Sequence, residues 1–299
     1  MTFEVFRAVE AFCGAGGLGE GFNMEGYHVE TAIDINEDCC KTYGHNHRYT
    51  QVLCEDVRNC FFTRKDYDAI LAVIGGSPCD DYTRVNTKRD PDSERALLIY
   101  ELIRMAKEIK PEFLLLENVY SVPKRIKENF VKQLQQLGYK VVSRVINAYD
   151  YGAVQIRKRW FVTASKKKHC FPEPLNTRRK AKEILTGEES EIKPRKKTLE
   201  SIKHLPAGKW VSLPNQSYKV YFVVDPEQPL PAVVNPTKLR YVRPDRQGYL
   251  SFNELIKAFD FHPNYEFLGT STSIGKQIAN CVPVSLATAF AKTFKGVYA

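Results

Sequence analysis

The chain has 299 residues, 43% hydrophobic and 26% charged, which is the balance of a globular protein large enough for one large domain or a large and a small one. No run approaches the roughly 18 apolar residues of a membrane span, and the amino terminus lacks the charged-then-apolar order of a signal peptide. An intracellular protein is expected, in the cytoplasm or nucleoid, or in the nucleus if the source is eukaryotic; its net charge of +9 favours a polyanionic partner.

In chain order, Val5 to Phe12 predicts a buried first strand, followed by Cys13-Gly14-Ala15-Gly16-Gly17-Leu18-Gly19 and a helical pattern through Phe22 and Met24. Strand, glycine-rich turn and helix start together suit a nucleotide-type ligand, because glycines admit close approach and a helix amino terminus offers free N–H groups. A plain tight turn is the competing reading. His28 to Ile33 predicts a second strand ending at Asp34, placed about 20 residues beyond the turn where an acid can accept from ribose hydroxyls. Residues 36–43 read as a helix, and Val52 to Cys54 as a short strand ending at Glu55-Asp56; either acid also reads as a solvated loop carboxylate.

Tyr67 to Ile74 is a hydrophobic run that enters Gly75-Gly76-Ser77-Pro78-Cys79, the pattern of a buried strand delivering one thiol at its carboxyl end. Residues 80–95 are polar and rich in turn formers, which predicts a mobile loop beside that thiol. Ala96 to Ile109 is an amphipathic helix with Leu98, Leu102, Met105 and Ile109 at three- and four-residue spacings. Phe113 to Leu116 predicts a fully buried strand running into Glu117-Asn118-Val119. Burial there should raise the pKa of Glu117 and suit it to work protonated. A helix over Lys124 to Leu137 and a strand over Tyr139 to Ile146 follow.

Val154 to Val162 predicts another strand, in which Gln155, Arg157 and Arg159 alternate and share one face. Residues 165–204 hold 12 Lys or Arg against 6 Asp or Glu, read either as a solvated insert or as a phosphate-contacting surface. Short strand candidates, notably Tyr218 to Val224, suggest a small β-rich region. Leu250 to Phe259 is a helix, and Thr272 to Ala291 a helical region interrupted at Asn280-Cys281-Val282-Pro283. The eight cysteines include no Cys-x-x-Cys pair, which argues against zinc and for thiols packed in the core.

Five segments, in this order and over nearly the whole chain, closely resemble the motifs of the cytosine-C5 methyltransferases: Phe12 to Leu18, Ser77-Pro78-Cys79, Glu117-Asn118-Val119, Gln155-x-Arg157-x-Arg159, and Gln277-x-Ala279-Asn280-Cys281-Val282-Pro283. The resemblance implies an α/β, Rossmann-like S-adenosylmethionine-dependent methyltransferase fold with a mostly parallel sheet and a smaller β-rich target-recognition domain. The expected division is 1–165, completed by 266–299, against 166–265. It further implies transfer of a methyl group to C5 of cytosine in double-stranded DNA, on a flipped-out base held by a covalent bond from Cys79 to C6. In that mechanism Glu117 addresses N3, Arg159 addresses O2, and Arg157 supports the same pocket.

S-adenosylmethionine is the implied cofactor and S-adenosylhomocysteine the product. Phe12, Gly14, Gly16, Gly17, Leu18, Asp34, Ile35, Asp56, Val57, Pro78, Leu98, Asn280 and Val282 are placed around the cofactor, and Thr83, Arg84, Lys88, Asn118 and Gln155 toward the substrate. No metal and no membrane is implied. A monomer on DNA is expected, with a restriction endonuclease or other specificity protein as possible partner. Two departures stand out: the residue after Pro-Cys, usually Gln in this family, is Asp80, followed by Asp81; and the stretch before the last motif is short. Tyr82-Thr83-Arg84 also resembles the tRNA-directed branch, so an RNA (tRNA) cytosine-C5 methyltransferase is one alternative and a non-catalytic nucleic-acid-binding homologue another.

Overall fold

A seven-stranded sheet runs through the molecule, and the order of its strands decides where a ligand can sit. The computed structural model describes residues 6–63, 70–83, 86–175, 177–213 and 220–298. Along the chain these form β1 (Phe6–Ala11), α1 (Gly17–Met24), β2 (Tyr27–Asp34), α2 (Glu37–Asn46), β3 (Gln51–Cys54), β4 (Ile70–Gly76), α3 (Glu94–Leu97), α4 (Glu101–Ile109), β5 (Phe113–Val119), α5 (Lys124–Gln136) and β6 (Lys140–Asn147). Then come β7 (Gln155–Ile156), β8 (Lys158–Ser165), α6 (Lys196–Ile202), β9 (Trp210–Ser212), β10 (Val220–Val223), β11 (Leu230–Pro231), β12 (Leu239–Val242), α7 (Phe252–Lys257), α8 (Ser271–Asn280) and α9 (Val284–Tyr298).

The sheet order is β3-β2-β1-β4-β5-β8-β6. From β3 to β5 all neighbours are parallel, and β8 runs antiparallel to both β5 and β6. The chain fills one side of β1 with β2 and β3, then crosses to β4 and β5. The carboxyl ends of β1 and β4 therefore flank a topological switch point, the place where open α/β sheets bind ligands. β5 is buried along its whole length, as a central strand covered on both faces must be. One face packs Leu102 and Met105 of α4, Phe130 of α5 and Trp160. The other packs Phe22 of α1 with Phe290 and Phe294 of α9, and Phe294 stacks on Phe113 at 4.0 Å between ring centroids.

A third core joins Val154, Phe222, Tyr241 and Phe259 to Ile278 and Val284 of α8 and α9. The β-rich region, with its three-stranded sheet β12-β10-β9, thus shares buried surface with the carboxyl-terminal helices. Two expectations change in detail. The helical region expected to end at Ala291 continues to Tyr298. The strand expected over Val154 to Val162 breaks at Arg157, whose N–H donates to Asn147 Oδ1 at 2.9 Å. Before the break Gln155 pairs with Leu230, and after it β8 joins the main sheet. Parts of the strands expected from Val5, Tyr67 and Tyr218 lie outside the described residues. No described helix is long and apolar enough to cross a membrane.

Candidate active site

A cavity of about 490 Å³ opens at the carboxyl ends of β1, β2, β4 and β5, within the size range of small-molecule sites. Its first end is built by the glycine-rich turn. Phe12 leaves β1 with φ of 55°, a left-handed conformation that costs a non-glycine residue on the order of 1–2 kcal/mol and is concentrated at functional sites. Gly14 N donates to Asp34 Oδ2 at 2.9 Å, and Asn36 N donates to Asp34 Oδ1 at 2.8 Å. The acid closing β2 is thereby fixed with a lone pair on each oxygen still open. A Cβ at Gly17 would collide with the Val282 backbone, so glycine lets α1 approach the α8–α9 junction.

Phe12, Gly14, Gly17, Leu18, Asp34, Ile35, Asp56, Val57, Pro78, Leu98, Asn280 and Val282 all line the cavity. Gly16 stands behind it, at φ of 91°, where a Cβ would strike the Tyr265 hydroxyl. Asp56 is clasped by Arg58, whose Nη2 lies 2.6 Å from Oδ2, and this contact holds the Asp56 carboxyl below the usual range. Two buried polar atoms of cavity-lining residues, Gln277 Oε1 and Arg157 Nε, have no protein partner. Orphaned buried atoms of that kind mark sites completed by a ligand or water. The open acceptors of Asp34, the glycine cradle and these two groups fit a nucleoside-type donor with a polar tail.

The second end of the cavity holds Cys79, Glu117, Arg157 and Arg159 together. Arg159 Nε lies 3.1 Å from Glu117 Oε1. Arg157 is buried: Nη1 donates to Val233 O at 2.9 Å and Nη2 to Ala279 O at 2.7 Å. It ties the β-rich region and α8 to the floor of the site. Burial pushes the Glu117 carboxyl up, partly countered by the two arginines. The Cys79 thiol is also pushed up, by burial first and the Glu117 charge second, with Arg159 and Arg157 pulling it back. The arginines therefore do not depress the thiol overall. Asn118 reaches away from the cavity, donating from Nδ2 to Ser77 O at 3.1 Å and to Ser77 Oγ at 2.8 Å. It braces the turn that presents Cys79.

Beyond Cys79, the segment expected to be a mobile loop is anchored at its base. Tyr82 is buried, donates to Ala96 O, and accepts at its carbonyl from Ser121 Oγ. Asp81 turns inward, accepting from Ser93 Oγ at 2.8 Å and from Arg95 Nε and Nη2 at 2.8 and 2.9 Å. Arg95 holds its carboxyl down to about 2. No residue pattern announces this stem, because its anchors are one aromatic ring and one ion pair closed across a polar segment. Thr83 N donates to Cys79 O within the stem. Lys88 is exposed further out, neither Thr83 nor Lys88 lines the cavity, and Arg84 lies outside the described residues.

Gln155 sits away from the cavity, fully buried: Nε2 donates to Ala258 O at 2.7 Å and Oε1 accepts from Val233 N at 3.0 Å. The strand break at Arg157 takes it off the face it was expected to share with Arg159. Its amide joins three segments, so Gln155→Ala should lower the stability to urea denaturation by about 2–3 kcal/mol through two stranded backbone groups. A midpoint unchanged from wild type would contradict that role.

The basic run also divides. Lys166 to Lys168 follow Ser165, which pairs with Phe113 at the start of β5, so they lie roughly 20 Å along the strands from the cavity end. Arg178, Arg179, Lys180 and Lys182 pair with Asp150, Glu183, Asp260 and Glu227. A single phosphate-contacting surface over 165–204 is not what these side chains form.

Sequence reasoning missed Glu10 and the face of α8 that carries Ser273 and Lys276, all of which line the cavity. Glu10 is pushed up to about 8 by burial, eased by Tyr43 and the Gly19 N–H, and Tyr43 donates to it at 2.8 Å. An acid inside the apolar run of β1 was its visible signal; for Ser273 and Lys276 no pattern exists short of the fold.

With this geometry in hand, comparisons with known proteins are specific. The family model for C-5 cytosine-specific DNA methylase matches residues 6–222. The Type II methyltransferase M.FnuDI of Fusobacterium nucleatum is 28% identical over 97% of this chain and 94% of its own. M1.HphI of Haemophilus parahaemolyticus is 27% identical over 95% and 85%. Among solved structures, a proposed DNA modification methyltransferase encoded within an E. coli prophage superposes with a TM-score of 0.82 at 20% identity, covering 98% and 99% of the two chains. The S. pombe Dnmt2 methyltransferase gives 0.73 at 17% identity, covering 98% and 99%; both likenesses speak to the fold. The chain belongs to the C-5 cytosine-specific DNA methylase family, and with it to the DNA (cytosine-5-)-methyltransferases.

Proposed function

We propose that this protein methylates C5 of a target cytosine in double-stranded DNA, using S-adenosylmethionine, through a covalent Cys79–C6 adduct on a base turned out of the duplex. The observation that carries the reading is the convergence of Cys79, Glu117 and Arg159 at one end of a cavity whose other end is the glycine-rich turn. S-adenosylmethionine, when bound, supplies an electrophilic methyl group. Phe12, Asp34, Ile35 and Leu98 would hold its nucleoside half, with Asn280 and Val282 toward its methionine half. Cytosine C5 is a poor nucleophile, so Cys79 first adds to C6 and makes C5 electron-rich. Glu117, whose proton affinity burial raises, donates to N3 in its protonated form while Arg159 faces O2, and together they offset the charge that addition places on the ring. Since Cys79 lies below the surface in a cavity, the base must leave the stack to reach it.

M.FnuDI and M1.HphI are Type II methyltransferases, which favours DNA over RNA and an intracellular place beside a restriction endonuclease. Residues 166–265 would read the target sequence from the β-rich side, on a protein acting as a monomer. Methyl transfer from labelled donor should be seen on unmethylated genomic DNA and not on tRNA, with bisulfite sequencing giving the target. Labelling of tRNA alone would transfer the assignment to RNA, and labelling of neither would remove it.

A further inference from the structure

We propose that Asp80 is the group that takes the proton from C5 of the cytosine, an inference that rests on the reaction proposed above. That reaction must end with a base removing this proton. Of the other carboxylates that line the cavity, Glu117 is engaged with Arg159 and committed to N3; Glu10, Asp34, Asp38, Glu55 and Asp56 belong to the glycine-turn end, on β1, β2, α2 and the turn after β3. Asp80 is the acid next to the nucleophile, lines the same cavity, and has a side chain that is 70% exposed.

If sulfur and methyl add across the C5–C6 bond from opposite sides, the C5 hydrogen is turned toward the sulfur face, so its acceptor should stand beside Cys79, and Asp80 follows Cys79 in the chain and lines the same cavity. Asp80 is also held there. Arg95 grips the buried Asp81 with Nε and Nη2 and leaves Nη1 3.4 Å from Asp80 Oδ2. The Asp81–Arg95 pair is thus a positioning pair that fixes a cation beside the Asp80 carboxylate. The family resemblance leads one to expect Gln at the position of Asp80. An amide does not accept a proton at neutral pH and a carboxylate does.

In the step itself the C5–H bond breaks, its electron pair forms the C5–C6 double bond, the C6–S bond breaks, and Cys79 leaves as thiolate. The proton passes to the Asp80 carboxylate and from there to water. Without methyl donor the same base still acts: Cys79 adds reversibly to C6, water delivers a proton to C5 from the donor face, and Asp80 takes the original hydrogen from the sulfur face as the C6–S bond breaks, so C5 exchanges its hydrogen with solvent.

The test uses a duplex bearing the protein's target sequence with tritium at C5 of the target cytosine. Without donor, Asp80→Asn should release tritium about 10²-fold more slowly than wild type, and Asp80→Glu should recover part of the rate. Affinities for duplex and for donor should stay within about threefold. With donor present, the Asn variant should accumulate a denaturant-stable protein–DNA complex. Tritium release and turnover within about threefold of wild type would overturn the proposal, as would slow release explained by an equal loss of duplex affinity. If wild-type protein methylates no DNA and exchanges no tritium, the functional reading fails first, and the wild-type control reports that independently of any Asp80 variant.

Discussion

Cys79→Ser is expected to lower methyl transfer on the order of 10⁴-fold, while donor affinity stays within about twofold. The hydroxyl of serine is far less acidic than a thiol and a weaker nucleophile, so addition to C6 loses its attacking group. The turn should survive, because Asn118 braces it through Ser77 and not through the sulfur, and the glycine-rich end of the cavity does not depend on Cys79. Two measurements check this: donor binding by calorimetry, and capture of a duplex carrying 5-fluorocytosine at the target base. Turnover within tenfold of wild type, or covalent capture by the serine variant, would show that another group attacks C6.

Glu117→Gln has the second-largest expected effect, about 10²–10³-fold on the methylation rate with donor affinity within about threefold. Its pH signature is more telling than its size. Burial and Glu117's negative charge both push the Cys79 thiol up, and Glu117 is itself pushed up by burial. The two groups therefore share protons as a pair. In the proposed reaction the working form would have its proton on Glu117 and its charge on sulfur. Protonating Glu117 at N3 of the base would remove the repulsion that disfavours the thiolate, so base binding would itself activate the nucleophile. Glutamine removes that repulsion permanently. Alkylation of Cys79 by iodoacetamide, followed on the Cys79 peptide, should then show its midpoint at lower pH than in wild type. A midpoint that stays put or rises would mean that Glu117 does not govern the thiol.

Much of this site is legible in one dimension because its chemistry is carried at strand ends. The runs before Cys79 and Glu117 announce central strands, and a residue placed just after such a run must emerge at the sheet's carboxyl edge. The glycines around Phe12 are legible for the same reason. Gln155 is not: alternation puts it on the face of Arg159, and only the capture of the Arg157 N–H by Asn147 breaks that register. The Asp81–Arg95 pair is hidden because an ion pair closed across a polar loop leaves no periodic trace. The charge run at 165–204 misleads in the opposite way, since composition cannot reveal that its first lysines stand at the far end of the sheet and its next arginines already have partners.

The cradle at Gly17 has a consequence for how the protein is made. Its facing wall is Val282, and the neighbouring Ala15 carbonyl is held by the Tyr265 hydroxyl across 250 residues of chain. This end of the cavity closes loops that span most of the chain, and contacts of such sequence separation form late and slowly. During synthesis the early strands would wait with Phe22 and Phe113 uncovered until α9 brings Phe290 and Phe294 to them, a period of exposure to aggregation. A nascent chain of this build becomes able to hold its methyl donor only after α8 and α9 have left the ribosome, so donor binding reports that the fold has been finished.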